Sequence, residues 1–189
     1  MATTDLTGRR VLAIVTNYGV EQDELVVPTE RLRAAGATVV VAAQSTEPVA
    51  TLVGDKDPGQ DVRPDTTLSE VDAADFDLLL VPGGTINADT IRQDADAVAL
   101  VKAFAAAGSP IAAICHGPWL LVEAGLVEGK ELTSFASLQT DLRNAGASWV
   151  DRAAVTDVEQ GFTLVTSRDP DDLDDFVEAV STALASASA

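Results

Sequence analysis

The stretch of sequence that decides the fold reads Pro110-Ile-Ala-Ala-Ile-Cys115-His116-Gly117-Pro118-Trp-Leu-Leu-Val-Glu123. Its first five residues form a short apolar run, which predicts a buried strand. Residues 119–123 predict the start of a helix, and Pro118 is tolerated in the first turn of a helix. Cys115 therefore lies where a strand turns sharply into a helix.

Cys115 and His116 are the only cysteine and the only histidine of the chain. The residue two positions before Cys115 is Ala113 and the residue two positions after it is Gly117. A nucleophile elbow requires small residues at these two positions, and here cysteine replaces the usual serine nucleophile. A sulfur at a helix N-terminus meets unpaired N–H groups, which favour the thiolate and lower its pKa below the ordinary value of about 8.5. The alternative is a buried structural cysteine, because free cysteine is among the most buried residue types.

Length and hydropathy bound the class of protein. A chain of 189 residues predicts one domain, residues 1–189, with room for a sizeable core. No apolar run approaches the roughly 18 residues of a membrane span, and the first ten residues lack the order of a signal peptide. A single cysteine excludes an internal disulfide, so we expect a cytoplasmic protein.

The charge balance is strongly acidic. The chain has 30 Asp and Glu residues against 12 Lys and Arg residues, for a net charge of −18. Such a surface repels nucleic acid and anionic membranes, so we expect neither as a partner. One histidine and one cysteine argue against a zinc site, and we expect no metal and no cofactor.

Strands and helices alternate along the chain, which predicts an α/β sandwich of three layers around a mostly parallel sheet. The predicted strands are 10–17, 38–43, 77–81, 110–114, 131–134, 149–150, 153–158 and 162–166, with a short hairpin within 44–67. The predicted helices are 21–35, 96–107, the elbow helix, 137–144 and a final helix after Asp169, with 69–74 as a short candidate. Pro28 predicts that the first regular helix begins near Glu24 or Leu25, and Ser137 is a candidate cap for the helix at 137–144.

Three loops follow predicted parallel strands, at residues 17–19, 82–84 and 115–116. Ligands of open α/β sheets bind beyond the carboxyl ends of the strands. We therefore expect the three loops to converge on one site.

The loop at 82–84 carries Gly83 and Gly84, whose N–H groups could form an oxyanion hole together with the N–H of His116. An ordinary tight turn is the alternative. His116 could act as the general base or as a cation beside the thiolate, although neighbouring residues often point apart.

Acidic side chains crowd the start of the first helix, at Glu21, Asp23 and Glu24. A carboxyl beside the thiolate would have a raised pKa and could donate a hydrogen bond to sulfur. The alternative is a solvated acidic helix start, stabilised by the helix dipole. Spacing alone does not choose among the three acids.

Taken in order, these segments resemble the ThiJ/PfpI superfamily, in particular its branch of PfpI-like intracellular proteases. The resemblance rests on residues 112–125 around the elbow, Glu24 to Pro28, the glycine turn at 81–84, residues 140–151 and residues 167–173. It implies a flavodoxin-like sandwich related to the class I glutamine amidotransferase fold.

The resemblance also implies roles for single residues. Cys115 matches the family nucleophile, His116 the adjacent histidine and Glu24 the carboxyl that hydrogen-bonds the thiolate. Gly84 and His116 match the oxyanion N–H donors. In some members an acidic residue after the glycine turn comes from a neighbouring subunit, and Asp89 is the candidate here, in place of the glutamate of those members.

The family resemblance implies at least a homodimer and a role in stress survival. Our first hypothesis is a cysteine-dependent hydrolase, either glyoxalase- or deglycase-like on small carbonyl adducts or peptidase-like on peptides. The alternative is a redox-responsive stress protein or holdase with little or no turnover, in which Cys115 is an oxidation sensor.

Overall fold

The computed structural model describes residues 4–187. Within them the strands are β1 (Arg10–Ile14), β2 (Tyr18–Glu21), β3 (Thr38–Ala43), β4 (Val49–Val53), β5 (Asp57–Val62), β6 (Thr66–Thr67), β7 (Leu78–Val81), β8 (Ile111–Ile114), β9 (Glu131–Leu132), β10 (Ser148–Trp149), β11 (Ala154–Asp157) and β12 (Leu164–Ser167). The α-helices are α1 (Gln22–Ala34), α2 (Thr85–Ile91), α3 (Ala95–Ala107), α4 (Pro118–Ala124), α5 (Gln139–Asn144) and α6 (Leu173–Ser186). Short 3₁₀ turns lie at Leu68–Glu70, Ala73–Asp75, Ala136–Leu138 and Pro170–Asp172.

The central sheet has the strand order β11-β12-β8-β7-β1-β3-β6. Its neighbouring strands run parallel except β11, which pairs antiparallel with β12 at one edge. The prediction of a three-layer α/β sandwich around a mostly parallel sheet is confirmed.

Both faces of the sheet are covered, which explains why its inner strands are continuous apolar runs. Side chains alternate between the faces along a strand. In β7, Leu78 and Leu80 join the core cluster formed with α1 and α6, whereas Leu79 and Val81 join the cluster formed with α3 and α4. The two layers of helices hold the carboxyl ends of β1, β7 and β8 side by side.

A smaller sheet, β2-β4-β5, lies beside the start of α1. The antiparallel pair β4–β5 is the hairpin expected between residues 44 and 67, and its turn contains Gly54 and Asp55. No helix within residues 4–187 is both long and apolar enough to cross a membrane.

Two local predictions are wrong, and one helix was not predicted. The first helix begins at Gln22, with Pro28 inside it, because burial of Leu25 and Leu32 against the sheet outweighs the lost hydrogen bond. Helix α2, directly after the glycine turn, was not predicted. Ser137 does not cap a helix, and its hydroxyl instead contacts His116.

Candidate active site

Cys115 lies between β8 and α4, as the elbow pattern predicts. Its φ is +60°, a left-handed conformation that costs a non-glycine residue about 1–3 kcal/mol. The backbone is held on both sides: Cys115 N–H donates to Ser167 O at 3.0 Å, and Cys115 O accepts from Phe135 N–H at 3.0 Å. The side chain is 5% exposed, so the strained turn presents the sulfur at the edge of a nearly closed site.

The Glu24 carboxyl is fully buried and reaches the elbow from α1. Its Oε2 accepts a hydrogen bond from Gly83 N–H at 2.9 Å, while its Oε1 has no partner among residues 4–187. Burial raises the pKa of Glu24 to about 8, against the pull of contacts with Cys115 and Gly83. The carboxyl is therefore protonated at neutral pH and can donate a hydrogen bond to the sulfur.

The pKa of the Cys115 thiol is subject to opposing influences. Burial raises it, and an ionised Glu24 would raise it further, whereas the Gly84 N–H lowers it. A protonated Glu24 has no charge to repel the thiolate and could donate a hydrogen bond to it, whereas a hydrogen bond from the thiol to Glu24 raises the pKa of Cys115. A thiol pKa well below 8.5 remains a prediction, and it requires these contacts to outweigh burial.

The glycine turn brings Glu24 and Cys115 together. A Cβ on Gly83 would lie 2.6 Å from Glu24 Oε2, 2.8 Å from Cys115 Cβ and 2.8 Å from His116 N, so the site excludes any side chain there. Gly84 has a φ of +79°, and a Cβ on it would lie 2.3 Å from Gly19 O.

The two glycines differ in what their N–H groups can do. Gly83 N–H is bonded to Glu24, so it is not free to bind an oxyanion. The N–H of His116 donates no hydrogen bond to another group of residues 4–187, and the N–H of Gly84 faces the Cys115 sulfur, whose pKa it lowers. These two donors remain beside the sulfur for an oxyanion.

His116 turns back toward its neighbour. Its Nδ1 lies 3.1 Å from Cys115 Sγ, so the sequence concern that the two side chains point apart does not apply. The ring stacks on Phe135, with centroids 4.9 Å apart, and meets the edge of Trp119 at 5.3 Å. Burial lowers the pKa of His116, with Asp55 opposing it, so the imidazole is neutral at pH 7 and can accept the thiol proton.

The other nitrogen of His116 meets two hydroxyls that sequence reasoning missed. Nε2 lies 3.3 Å from Thr85 Oγ1 and 3.2 Å from Ser137 Oγ. Thr85 in turn contacts the carboxylate of Asp55. The position of Thr85 directly after the glycine turn could have indicated that Thr85 lies at the candidate site. Asp55 lies 30 residues before Thr85, and its only sequence feature is its place in a Gly-Asp turn.

The remaining acids of the first helix have other places. Glu21 is buried and accepts from the N–H groups of Gly54 and Asp55, at 3.1 and 3.0 Å. Asp23 is exposed. Of the three acids, the structure places Glu24 against Cys115.

Asp89 lies on the exposed side of α2. Within residues 4–187 its carboxylate forms no hydrogen bond with Cys115 or His116; only its backbone oxygen is engaged, by Gln93 Nε2 at 2.8 Å. Nearby Asn87 is fully buried, and its Oδ1 accepts from Thr16 N–H at 2.8 Å while its Nδ2 donates to Gly83 O at 2.9 Å. Asn87 therefore ties the end of β1 to the glycine turn.

A groove of about 830 Å³ lies elsewhere, between α6 and the edge strand β11. It includes Gly108 and Pro110, which precede β8, so it opens at the amino end of that strand. The reactive groups are at the opposite, carboxyl end, where ligands of such sheets bind. Chemistry rather than groove volume locates the candidate site.

Fold and site together define an α/β sandwich with a cysteine at its nucleophile elbow. A family model described as the DJ-1/PfpI family matches residues 9–183. The chain belongs to this family.

Three comparisons illustrate the similarity. General stress protein 18 of Bacillus subtilis (strain 168) is 38% identical over 165 residues, which is 87% of this chain and 92% of that protein. Protein/nucleic acid deglycase 2 of Escherichia coli (strain K12) is 37% identical over 165 residues, again 87% and 92% of the two chains. The crystal structure of Drosophila melanogaster DJ-1beta superposes with a TM-score of 0.82 at 32% identity, covering 94% of this chain and 90% of that one.

Proposed function

We propose that this protein is a cysteine-dependent stress-response enzyme that acts on small carbonyl adducts, with deglycase- or glyoxalase-type chemistry. The observation that carries the proposal is the contact of 3.1 Å between Cys115 Sγ and His116 Nδ1, beside the backbone N–H groups of Gly84 and His116. The relatives named as a stress protein and as a deglycase support the same class of activity.

In the proposed reaction, the thiol proton of Cys115 passes to Nδ1 of His116. The sulfur lone pair forms a bond to the carbonyl carbon, and the π electrons of the C=O bond move to oxygen. The resulting oxyanion accepts hydrogen bonds from the N–H groups of Gly84 and His116. The imidazolium then returns its proton to that oxygen, which gives a neutral thiohemiacetal. With methylglyoxal, transfer of the C1 proton to C2 would convert this adduct to a lactoyl thioester, and one water molecule would hydrolyse the thioester to lactate and restore the thiol of Cys115.

The size of the site favours small substrates. Cys115 is 5% exposed and His116 is 4% exposed, so a folded protein chain could not reach the sulfur without rearrangement. The net charge of −18 disfavours polyanions such as nucleic acid as partners. A peptidase-like activity on short peptides is compatible with the same nucleophile.

A second candidate function is redox sensing at Cys115. The observation that favours it is the unpartnered Oε1 of the protonated Glu24, which could donate a hydrogen bond to an oxygen added to the sulfur. With a single cysteine in the chain, an oxidised thiol has no internal partner for a disulfide. Peroxide would then add oxygen mass to Cys115 in a protein that shows no turnover.

The assembly and location belong to the proposal as well. We expect a homodimer or a higher homo-oligomer in the cytoplasm, with neither nucleic acid nor membrane as partner. Asp89, which faces outward from α2, would then be placed to approach a second subunit.

The test is formation of lactate from methylglyoxal by wild type and by Cys115→Ser. Turnover in the wild type that is lost in Cys115→Ser supports the proposal, with Val158→Ala, an exposed position beyond β11, as a control expected to retain turnover. Lactate formation that survives Cys115→Ser contradicts the proposal. A pH series of thiol alkylation on the same samples gives the Cys115 pKa, and absence of turnover with rapid oxidation would favour the redox sensor.

A further inference from the structure

A continuous line of polar contacts runs from the sulfur to a carboxylate of the same chain. Cys115 Sγ lies 3.1 Å from His116 Nδ1, and His116 Nε2 lies 3.3 Å from Thr85 Oγ1. Thr85 Oγ1 donates to Asp55 Oδ2 at 2.6 Å, and Thr85 N–H donates to Asp55 Oδ1 at 2.8 Å. Four residues, contributed by three separate segments, are therefore joined from sulfur to carboxylate.

Counting protons along this line fixes the tautomer of His116. A carboxylate has no proton to donate, so the hydroxyl proton of Thr85 points to Asp55. Thr85 Oγ1 has only that one proton and can only accept at its other contact, so its contact with His116 is a hydrogen bond when Nε2 carries a proton, and Ser137 Oγ at 3.2 Å can then accept from the same N–H. In a neutral imidazole Nδ1 is then unprotonated and faces the thiol as an acceptor.

The segment that carries Asp55 is held in place for this contact. Asp55 adopts a left-handed φ of +57° in the turn between β4 and β5. Both oxygens of the buried Glu21 accept from this turn, at 3.1 Å from Gly54 N and 3.0 Å from Asp55 N. The contacts with Glu21 fix the turn and, with it, the position of the Asp55 carboxylate beside Thr85.

We propose that Asp55, acting through the Thr85 hydroxyl, is the intrachain positioning acid that holds His116 in the tautomer able to take the proton of Cys115. The proposal rests on the proposed role of Cys115 and His116, and it deepens that role. It makes the acid of this site a residue of the same chain, reached through a hydroxyl, without requiring an acid from a second subunit.

The arrangement serves both protonation states of the histidine. When Nδ1 takes the thiol proton, the imidazolium keeps Nε2–H on Thr85, and the negative charge of Asp55 stabilises the cation. The other titratable groups near the ring are Cys115 itself and Glu24, whose burial keeps it neutral at pH 7. Arg92 is stacked on Trp119, on the edge side of the imidazole.

The direct test is ¹⁵N NMR of the imidazole in the resting wild-type protein. The chain has one histidine, so the spectrum contains a single pair of ring nitrogens and needs no assignment by mutation. We expect a protonated Nε2 and an unprotonated Nδ1 while the ring is neutral. A protonated Nδ1 in the neutral ring would overturn the proposal without any variant.

Variants separate the hydroxyl from the charge. Thr85→Val removes the one hydroxyl at Nε2 that Asp55 holds as an acceptor and is expected to shift the population toward the Nδ1–H tautomer, whereas Thr85→Ser restores the wild-type signal. Asp55→Asn keeps an acceptor for the Thr85 hydroxyl but removes the charge, so the tautomer persists and the His116 titration midpoint falls. Asp57→Asn removes an exposed charge from the same hairpin and is the matched control, expected to change neither signal.

Ser137→Ala is the second matched variant, because it removes the other hydroxyl at Nε2, one that has no link to Asp55. We expect it to retain the Nε2–H tautomer. If Ser137→Ala moves the tautomer and Thr85→Val does not, Asp55 is not the positioning acid.

Kinetics complete the test. Thr85→Val is expected to slow turnover at neutral pH by about 10- to 100-fold, below the full 10²–10⁴ contributed by general acid–base catalysis, with the loss in kcat rather than KM. The NMR signals do not depend on turnover, so the two proposals can fail separately. If the wild type is inactive but shows the expected tautomer, only the proposed activity is refuted. If the enzyme is active but neither Thr85→Val nor Asp55→Asn changes the tautomer or the titration midpoint of His116, only the role of Asp55 as positioning acid is refuted.

Discussion

Two clusters of buried titratable groups lie at different places on the central sheet. At the candidate site, Cys115, His116 and Glu24 are buried with a strained backbone and an unpartnered carboxyl oxygen. Around Lys130, which is fully buried, the ammonium group donates to Asp157 Oδ1 at 3.1 Å, to Phe162 O at 2.6 Å and to Glu159 O.

The two clusters differ in how completely their polar atoms are bonded. Asp157 also accepts from Glu131 N–H at 2.7 Å and Glu159 N–H at 2.9 Å. Burial alone would raise the pKa of Asp157, but these bonds and the one from Lys130 outweigh it and lower the pKa. The polar groups of the Lys130 cluster are hydrogen-bonded to one another, whereas in the Cys115 cluster Oε1 of Glu24 and the N–H of His116 have no partner within residues 4–187. Burial alone therefore does not distinguish the two clusters; the candidate site differs by its incomplete bonding and by the left-handed backbone of Cys115.

The largest effect that we expect on activity comes from Cys115→Ser. Removal of the sulfur nucleophile should lower turnover by at least about 1,000-fold, since loss of a nucleophile removes a step that its partners cannot supply. Stability should stay within about 1 kcal/mol, because the hydroxyl is nearly isosteric and the backbone contacts remain. The kinetic assay measures the loss of turnover, and urea unfolding of the same variant measures the change in stability. A large loss of stability would mean that Cys115 has a structural role, and the difference between the Cys115 and Lys130 clusters would not hold.

The largest effect that we expect on stability comes from Lys130→Met. It leaves Asp157 buried without its cation, which costs about 3–5 kcal/mol. The free energy of unfolding in urea measures the loss. The double variant Lys130→Met with Asp157→Leu should recover part of the lost stability. If Lys130→Met alone were as stable as wild type, the Lys130 cluster would not contribute to stability.

An intermediate effect concerns Glu24→Gln and pH. The folded-state pKa of Glu24 is raised from 4.5 to about 8, so between these values the native state holds a proton that the unfolded state has released. The stabilisation from this proton is complete below about pH 4.5, falls as pH rises and is lost by about pH 8. Relative to Glu24→Gln, wild type should thus lose stability with rising pH. If the stability–pH curves of the two proteins were parallel, Glu24 would be ionised in the native state over this whole pH range.

The smallest effect concerns a surface ion pair. Arg31 Nη1 lies 2.5 Å from Asp174 Oδ1, but the two side chains are 47% and 86% exposed. Arg31→Ala should lower the free energy of unfolding by at most about 1 kcal/mol, and the loss should shrink in high salt. A loss as large as that of Lys130→Met would remove the distinction between buried and exposed pairs.

The elements that carry the fold were predictable because they depend on local patterns. β7 and β8 are continuous apolar runs, and Gly36 and Gly108 follow helices that end where expected. Helix α2 was missed because Thr85–Ile91 is a mixed polar segment with few buried residues. Ser137 was predicted to cap a helix because serine is a common N-cap residue, whereas its hydroxyl in fact contacts Nε2 of His116 across the site.

The sequence by itself determined the α/β class, the position of the elbow and the meeting of the glycine turn with Cys115, since periodicity and small residues are local properties. Spacing left the choice of acid open, and the family resemblance indicated Glu24. Only the tertiary structure decided which glycine N–H is already bonded to that acid, and that Asp55 and Thr85 stand behind His116. These outcomes depend on distances between segments tens of residues apart. No pattern along the chain encodes them, because the packing of α1, the β4–β5 turn and α2 around one end of the sheet sets them.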